Sequence, residues 1–409
     1  MGIFDFISGK PSKEKFVKQA LTAFRQAGAQ GDLVYDEAEF SVKLKSLDGS
    51  EFVGNFHNIY IDYCNAKASE REENLLKYAK GMVQVQTTLP ARYEVGKKKL
   101  LPLLRCVYED IALGLMTEQT AGNTSPQTVS QPFAADIATQ IGFDGEFTIM
   151  RISPSALADW GVSFDEALAQ AVENLRDMTT DKWHRIAPGA FVGAWSDHYD
   201  TSRALLTDCL YRLALNGDPV IIMPTRETLL VTGARDVVGQ AAIVAAAIAA
   251  QEEFPRHLSM QMLRYDGKHW QEFMPDGQAG AQLKLEQLRA LSGDYQQQKD
   301  MLERKLERTG EDVFVASFTC MQKNPESPVV SYAAWSEDVD SLLPKVDRLM
   351  LIKIGQGGGA NQTASIPWDV AMAELGACVE KTQHQPPRYR TKVFPHAALF
   401  ADLVARYPM

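Results

Sequence analysis

The sequence predicts an α+β protein of several domains, in which mixed sheets carry packed helices. Strand-like runs and helical-period stretches are interspersed along the chain. Two pairs of extended runs flank Asp48-Gly49 and Asp266-Gly267, dipeptides that close hairpins. At 409 residues and 45% hydrophobic, the chain exceeds a single domain of roughly 100–200 residues. The expected division is an N-terminal α+β unit over 1–95, a central α+β domain over 100–276, a charged helical linker over 277–311 and a C-terminal α+β domain over 312–409.

Each element has a local cause. Ser12 starts a helix through residue 28 whose apolar face carries Phe16, Val17, Ala20, Leu21 and Phe24. Extended runs follow at 40–44 and 51–56, then a helical stretch over 59–82 with Glu70, Arg71, Glu72 and Glu73 outside. Residues 100–107 read as a strand, 117–131 as a loop rich in Thr, Ser, Gly and Asn, and 147–152 as another strand. Ser163 with Glu166 three residues later is a capping box that opens a helix through Leu175.

Residues 190–195, 204–214 and 219–223 then read as strand, helix and strand. They suggest a crossover over 190–223 which, if parallel, sets two strand ends side by side. Asp236 caps an Ala-rich helix to residue 250, and 260–265 with 269–273 form the second hairpin. Charged amphipathic helices over 283–291 and 295–306, broken at Ser292-Gly293-Asp294, read as a hairpin laid on the surface. Beyond them the pattern gives strands at 313–320, 329–335, 348–354 and 390–394, with helices at 368–379 and at the end.

Composition narrows the function classes. Acidic residues outnumber basic ones by 52 to 42, a field that repels phosphate backbones and anionic lipid, so nucleic acid is not expected as a partner. Cys64, Cys106, Cys209, Cys320 and Cys378 are scattered and odd in number, which points to reduced thiols in the cytoplasm and not to disulfides or a zinc site. The apolar run 241–250 is half of the about 20 residues a spanning helix needs, so no transmembrane segment is expected. The start of the chain lacks the pattern of an export signal.

With Leu101-Pro102-Leu103-Leu104-Arg105, Phe164-Asp165-Glu166-Ala167, Asn174-Leu175, Asp197, Tyr199-Asp200, Ser202-Arg203, Pro224-Thr225-Arg226 and Tyr265-Asp266-Gly267 in this order, the chain resembles a bacterial domain-of-unknown-function family, number 1444 in that series. The resemblance covers roughly residues 100–275, and the N-terminal helix and hairpin look like the leader of longer proteobacterial members. It implies a soluble bacterial protein and no particular activity.

One polar constellation stands out. Asp197, His198 and Asp200 follow one extended run, and Arg226 follows the other. As carboxylates and an imidazole they suit a divalent ion, yet no further ligand pair accompanies them, so no metal is assigned. Alternatively Asp200 caps the helix that Thr201 begins, with Arg203 on the same face to pair with it. Ser202 lacks a nucleophile elbow, so no catalytic residue is assigned and Asp197, His198 and Asp200 stand only as candidates. Arg203 and Arg226 are the ligand-binding candidates. Arg226 either clamps a carboxylate or phosphate or pairs with Asp197 or Glu227. The run 355–360 formally fits a dinucleotide pattern but lacks a helix opening in the loop, so no cofactor is expected.

These readings lead to a non-catalytic binding or adaptor protein for a protein partner or a small anionic ligand. The competing expectation is a hydrolase or transferase with a pocket at Asp197, His198, Asp200, Arg203 and Arg226.

Overall fold

The structure, a computed structural model, describes residues 11–45, 51–83, 89–108, 128–254, 256–322, 327–355 and 361–408. It is α+β, with five separate sheets and helices packed on them. Helix Lys13–Gln26 begins at Ser12, whose Oγ accepts from the Lys15 amide, and it buries Phe16, Val17, Ala20, Ala23 and Phe24. That face meets the antiparallel strands Asp32–Asp36, Ser41–Lys45 and Glu51–Asn55. The Asp48-Gly49 turn lies outside the described residues. The helical stretch expected over 59–82 is two helices, His57–Asn65 and Arg71–Val83. Rings from the turn before Ser41–Lys45, from the residue preceding helix His57–Asn65 and from that helix converge on Phe16, which packs against Phe40, Phe56, Tyr60 and Tyr63.

A second sheet is organised around Ile137–Asp144, which pairs with Leu100–Cys106, Ser130–Ala134 and Ile149–Arg151. Helix Phe164–Met178 covers it, burying Ala167, Ala171 and Leu175, and the Ser163 hydroxyl accepts the Glu166 amide at its start.

The largest sheet has six strands in the order Trp270–Glu272, His257–Tyr265, Pro219–Thr225, Thr228–Gly233, Ala190–Gly193 and Trp183–Ala187. Every neighbouring pair is antiparallel. This corrects the crossover expected over 190–223. The two strands do run the same way, but Thr228–Gly233 lies between them, so their ends are not side by side. Its pairing with Pro219–Thr225 closes through Arg226-Glu227, with Thr225 opposite Thr228. So short a loop costs less closure entropy than a distant pairing. The connecting helix expected over 204–214 is a 3₁₀ turn, Thr201–Leu205, and a short helix, Thr207–Tyr211. Helix Val237–Glu253 packs on this sheet, capped by Asp236 Oδ1 on the Gly239 amide at 2.8 Å.

The hairpin expected beyond residue 277 is instead one continuous helix, Gly277–Thr309. A glycine inside a helix costs only about 1 kcal/mol, and the burial of Leu288 and Tyr295 on either side of Ser292-Gly293-Asp294 outweighs that cost. Nor does the segment merely lie on the surface. Leu283 enters the core of the six-stranded sheet, Leu288 and Tyr295 enter the C-terminal core, and Leu302 packs with Val315 and Leu342. Two four-stranded mixed sheets complete the C-terminal region around Trp335. The helix expected over 368–379 is Trp368–Leu375 followed by a 3₁₀ turn.

Candidate functional site

The loop after Ala190–Gly193 is held from within. Ser196 and His198 both have left-handed backbone, at φ 54° and 69°, which costs an L-residue roughly 1–2 kcal/mol. The buried Asp200 carboxylate offsets that cost. Its Oδ1 accepts the amides of Trp195 at 3.0 Å and Ser196 at 3.1 Å, and its Oδ2 accepts that of Asp197 at 3.4 Å. Asp200 therefore looks back into the loop and makes no side-chain cap on the turn that follows. The expectation of a helix cap is corrected: Asp200 has helical backbone itself, whereas a capping side chain needs extended backbone to fold over the first turn.

Arg203 pairs with Asp197 and not with Asp200. Its guanidinium donates through Nη1 to Oδ1 at 3.0 Å and through Nη2 to Oδ2 at 2.6 Å. Nε donates to Thr179 Oγ1, and the group lies 4.2 Å from the Trp195 ring centroid. Burial pushes the Asp197 carboxyl upward, but the Arg203 fork overcomes it and leaves the group below the usual carboxylate range. Ser202 donates its hydroxyl to the Pro102 carbonyl at 2.7 Å, which fixes the turn to the neighbouring sheet. Asp197, Asp200, Ser202 and Arg203 thus form the frame of this region.

The frame sets His198 at the wall of a cleft of about 630 Å³. Arg226, on the hairpin turn after Pro219–Thr225, lines the same cleft. Of the five residues singled out from the sequence, the structure brings these two together there. The carboxylates considered as partners for Arg226 are held by other arginines, Asp197 by Arg203 and Glu227 by Arg256.

Four further cations line the cleft, and sequence reasoning missed them. They are Lys77 from the N-terminal unit, Arg105 and Arg151 from the sheet around Ile137–Asp144, and Arg256 at the start of His257–Tyr265. Arg105 left a signal, as the one charge inside the apolar strand Leu100–Cys106. Arg256 donates to Asp62 at 2.7 Å and to Glu227 at 3.1 Å, so it ties helix His57–Asn65 to the hairpin turn. Desolvation raises the Asp62 carboxyl above its ordinary value although Arg256 opposes it, and the Glu227 charge adds to the rise.

Among the lining residues, Lys77, Arg105, Arg151, Arg226 and Arg256 give five permanent positive charges against three carboxylates, Asp144, Glu146 and Glu227. The balance of these permanent charges is 5 − 3 = +2. Asp144 accepts the Tyr199 hydroxyl at 3.0 Å, which joins the frame to the cleft wall. Such a site suits an anion, because guanidinium groups present several donors in a planar fork.

Among the described residues, no three His, Cys, Asp or Glu side chains are grouped to hold a metal ion. Residues 356–360 of the glycine run lie outside the described residues, and the strand Gln362–Pro367 follows. Comparison of the chain with models of protein families, with curated proteins and with solved structures gives no match.

Proposed function

We propose that this is a non-catalytic cytoplasmic protein that binds a small anionic ligand in the cleft between the N-terminal unit and the central sheets. The excess of lining cations carries the reading, because it occurs in a chain whose formal net charge is −10. A site of opposite sign to its surroundings concentrates anions locally. The volume, about 630 Å³, lies in the range of small-molecule sites, roughly 300–1,000 Å³. The absence of turnover is supported by the frame: Asp197, Asp200 and Ser202 have their oxygens engaged by Arg203, by backbone amides and by the Pro102 carbonyl. Kinship with domain-of-unknown-function family 1444 belongs to the same proposal and adds no activity to it.

The test is calorimetric titration with inorganic phosphate, pyrophosphate and citrate at constant ionic strength, with chloride as the control. At least one multivalent anion should bind. Arg226→Ala and Arg151→Ala should each weaken it about ten- to hundredfold, since a hydrogen bond to a charged group is worth about 1.5–3 kcal/mol. Affinity unchanged from the parent in both variants, or binding no stronger than that of chloride, would overturn the proposal.

A further inference from the structure

The sheet around Ile137–Asp144 turns one face to the cleft, and its register says what that face carries. Ala138, Gln140, Gly142 and Asp144 alternate onto one side of the strand, and residues paired directly opposite share that side. This sets Arg105 beside Ala138, Leu103 beside Gln140, Arg151 beside Gly142 and Ile149 beside Asp144. Arg105, Leu103, Arg151 and Ile149 all line the cleft. Arg105 and Arg151 are therefore separated along the central strand by about 13 Å, at about 3.3 Å per residue.

Leu103 falls between them in this register, and the surface there is apolar. A Cβ added at Gly142 would stand 2.9 Å from Leu103 Cδ1 and 2.7 Å from Ile149 Cγ2, so these two side chains close over the glycine. Leu103 is buried and supports Ile149, which is half-buried at the cleft. Phe147, also half-buried, joins them from the turn in which the Gly145 amide donates to the Thr148 carbonyl at 3.0 Å. Lys80 Nζ lies 5.3 Å from the Phe147 ring centroid, which fixes this turn against helix Arg71–Val83. Two more lining cations stand side by side, since the Arg226 amide donates to the Arg256 carbonyl at 2.9 Å.

We propose that the cleft selects an organic anion with an apolar body, a phosphate monoester of an aryl or alkyl group, with its phosphate on Arg226 and Arg256 and its body on Phe147 and Ile149. This selectivity rests on the anion-binding reading proposed above and narrows its ligand. Arginines on adjacent backbone can converge on one phosphate, whose oxygens match guanidinium forks. Arg105 and Arg151, set apart by the register, flank the body instead. An inorganic anion engages the cations but leaves Phe147 and Ile149 against water, whereas an apolar body removes that surface from water along with its own. The cleft, at about 630 Å³, has room for both parts of such a ligand.

The test is calorimetric titration of the full-length protein with inorganic phosphate, glycerol phosphate and phenyl phosphate at constant ionic strength. Glycerol phosphate carries the same charged group on a polar body, so it separates apolar contact from size. Phenyl phosphate should bind about tenfold or more tighter than either, the scale of burying a small apolar group. Ile149→Thr and Phe147→Ser should each cut that preference to about threefold or less. Arg226→Ala should weaken phosphate and phenyl phosphate together and keep their ratio near the parent's. Such ratios do not depend on how much of a variant folds. If phosphate, pyrophosphate and citrate all fail to bind, the anion reading falls and takes the selectivity with it. If one of them binds but phenyl phosphate binds no tighter than glycerol phosphate, or if the preference survives in both apolar variants, the selectivity alone is overturned.

Discussion

Replacing Asp200 by asparagine separates a carboxylate that holds a loop from one that caps a helix. A capping asparagine serves about as well as aspartate, so under the capping account the change is silent and alanine costs about 1 kcal/mol. The geometry gives a different result. Asp200 offers two oxygens to three backbone amides, at 3.0, 3.1 and 3.4 Å. Asparagine has one acceptor, which takes the Trp195 and Ser196 amides. Its NH₂ then faces the Asp197 amide, donor against donor. The loss is the weakest of the three bonds together with the charge on the other two, about 1–3 kcal/mol in all. Alanine removes all three. Water replaces the partner at the exposed Ser196 but not at the buried Trp195, so the cost reaches about 2–4 kcal/mol. Denaturant titration of the parent and both variants measures the midpoints. His198 sits in the released loop, so phosphate or pyrophosphate affinity should fall alongside stability. A silent Asp200→Asn beside a loss of about 1 kcal/mol in Asp200→Ala would refute the reasoning and restore the cap.

Two further changes test the surrounding framework. Arg388 is fully buried and donates to the carbonyls of Ala316 and Leu342 at 2.8 and 2.9 Å, to that of Tyr295, and to the Gln298 side chain. Burial lowers its guanidinium to about 10. Arg388→Met should cost about 2–4 kcal/mol in denaturant titration, because stranded carbonyls outweigh the relief of a buried charge. Gly189 has φ 69°, and an added Cβ would stand 1.6 Å from Asp236 Oδ2, the cap of helix Val237–Glu253. Gly189→Ala should therefore cost about 2–3 kcal/mol, from left-handed strain and the displaced cap together, and a loss under about 0.5 kcal/mol would contradict this.

Signals that are complete within a few residues were legible in the sequence. Ser12, Ser163 and Asp236 each accept the amide three residues on, because capping needs only a side-chain oxygen and a following turn. The Asp266-Gly267 hairpin forms with Tyr265 opposite Trp270. Strands that depend on distant partners were not legible. Ile137–Asp144, buried along almost its whole length, has no strict apolar–polar alternation because it is covered on both faces. Thr228–Gly233 was hidden for the same reason. Its absence from the reading turned an antiparallel meander into an apparent crossover. The break expected at Ser292-Gly293-Asp294 rested on local propensity alone, and tertiary burial on both flanks overrides it.

The candidate site shows the same division at the scale of side chains. Polar residues that lie close in sequence reach one another at little entropic cost, so between 195 and 203 they satisfy one another: Asp200 takes the loop amides, Asp197 takes Arg203, and Arg203 stacks on Trp195. A cluster conspicuous in the sequence is for that reason a poor guide to ligand contact, since its members consume one another's hydrogen-bonding capacity. A cleft is made where elements from separate parts of the chain meet. Lys77, Arg105, Arg151, Arg226 and Arg256 reach theirs from five different segments, and no sequence spacing ties the five to one another. The dense motif supplies rigidity and the dispersed arginines supply charge. His198 belongs to both, carried on the strained loop that Asp200 holds and exposed at the wall where the cations gather.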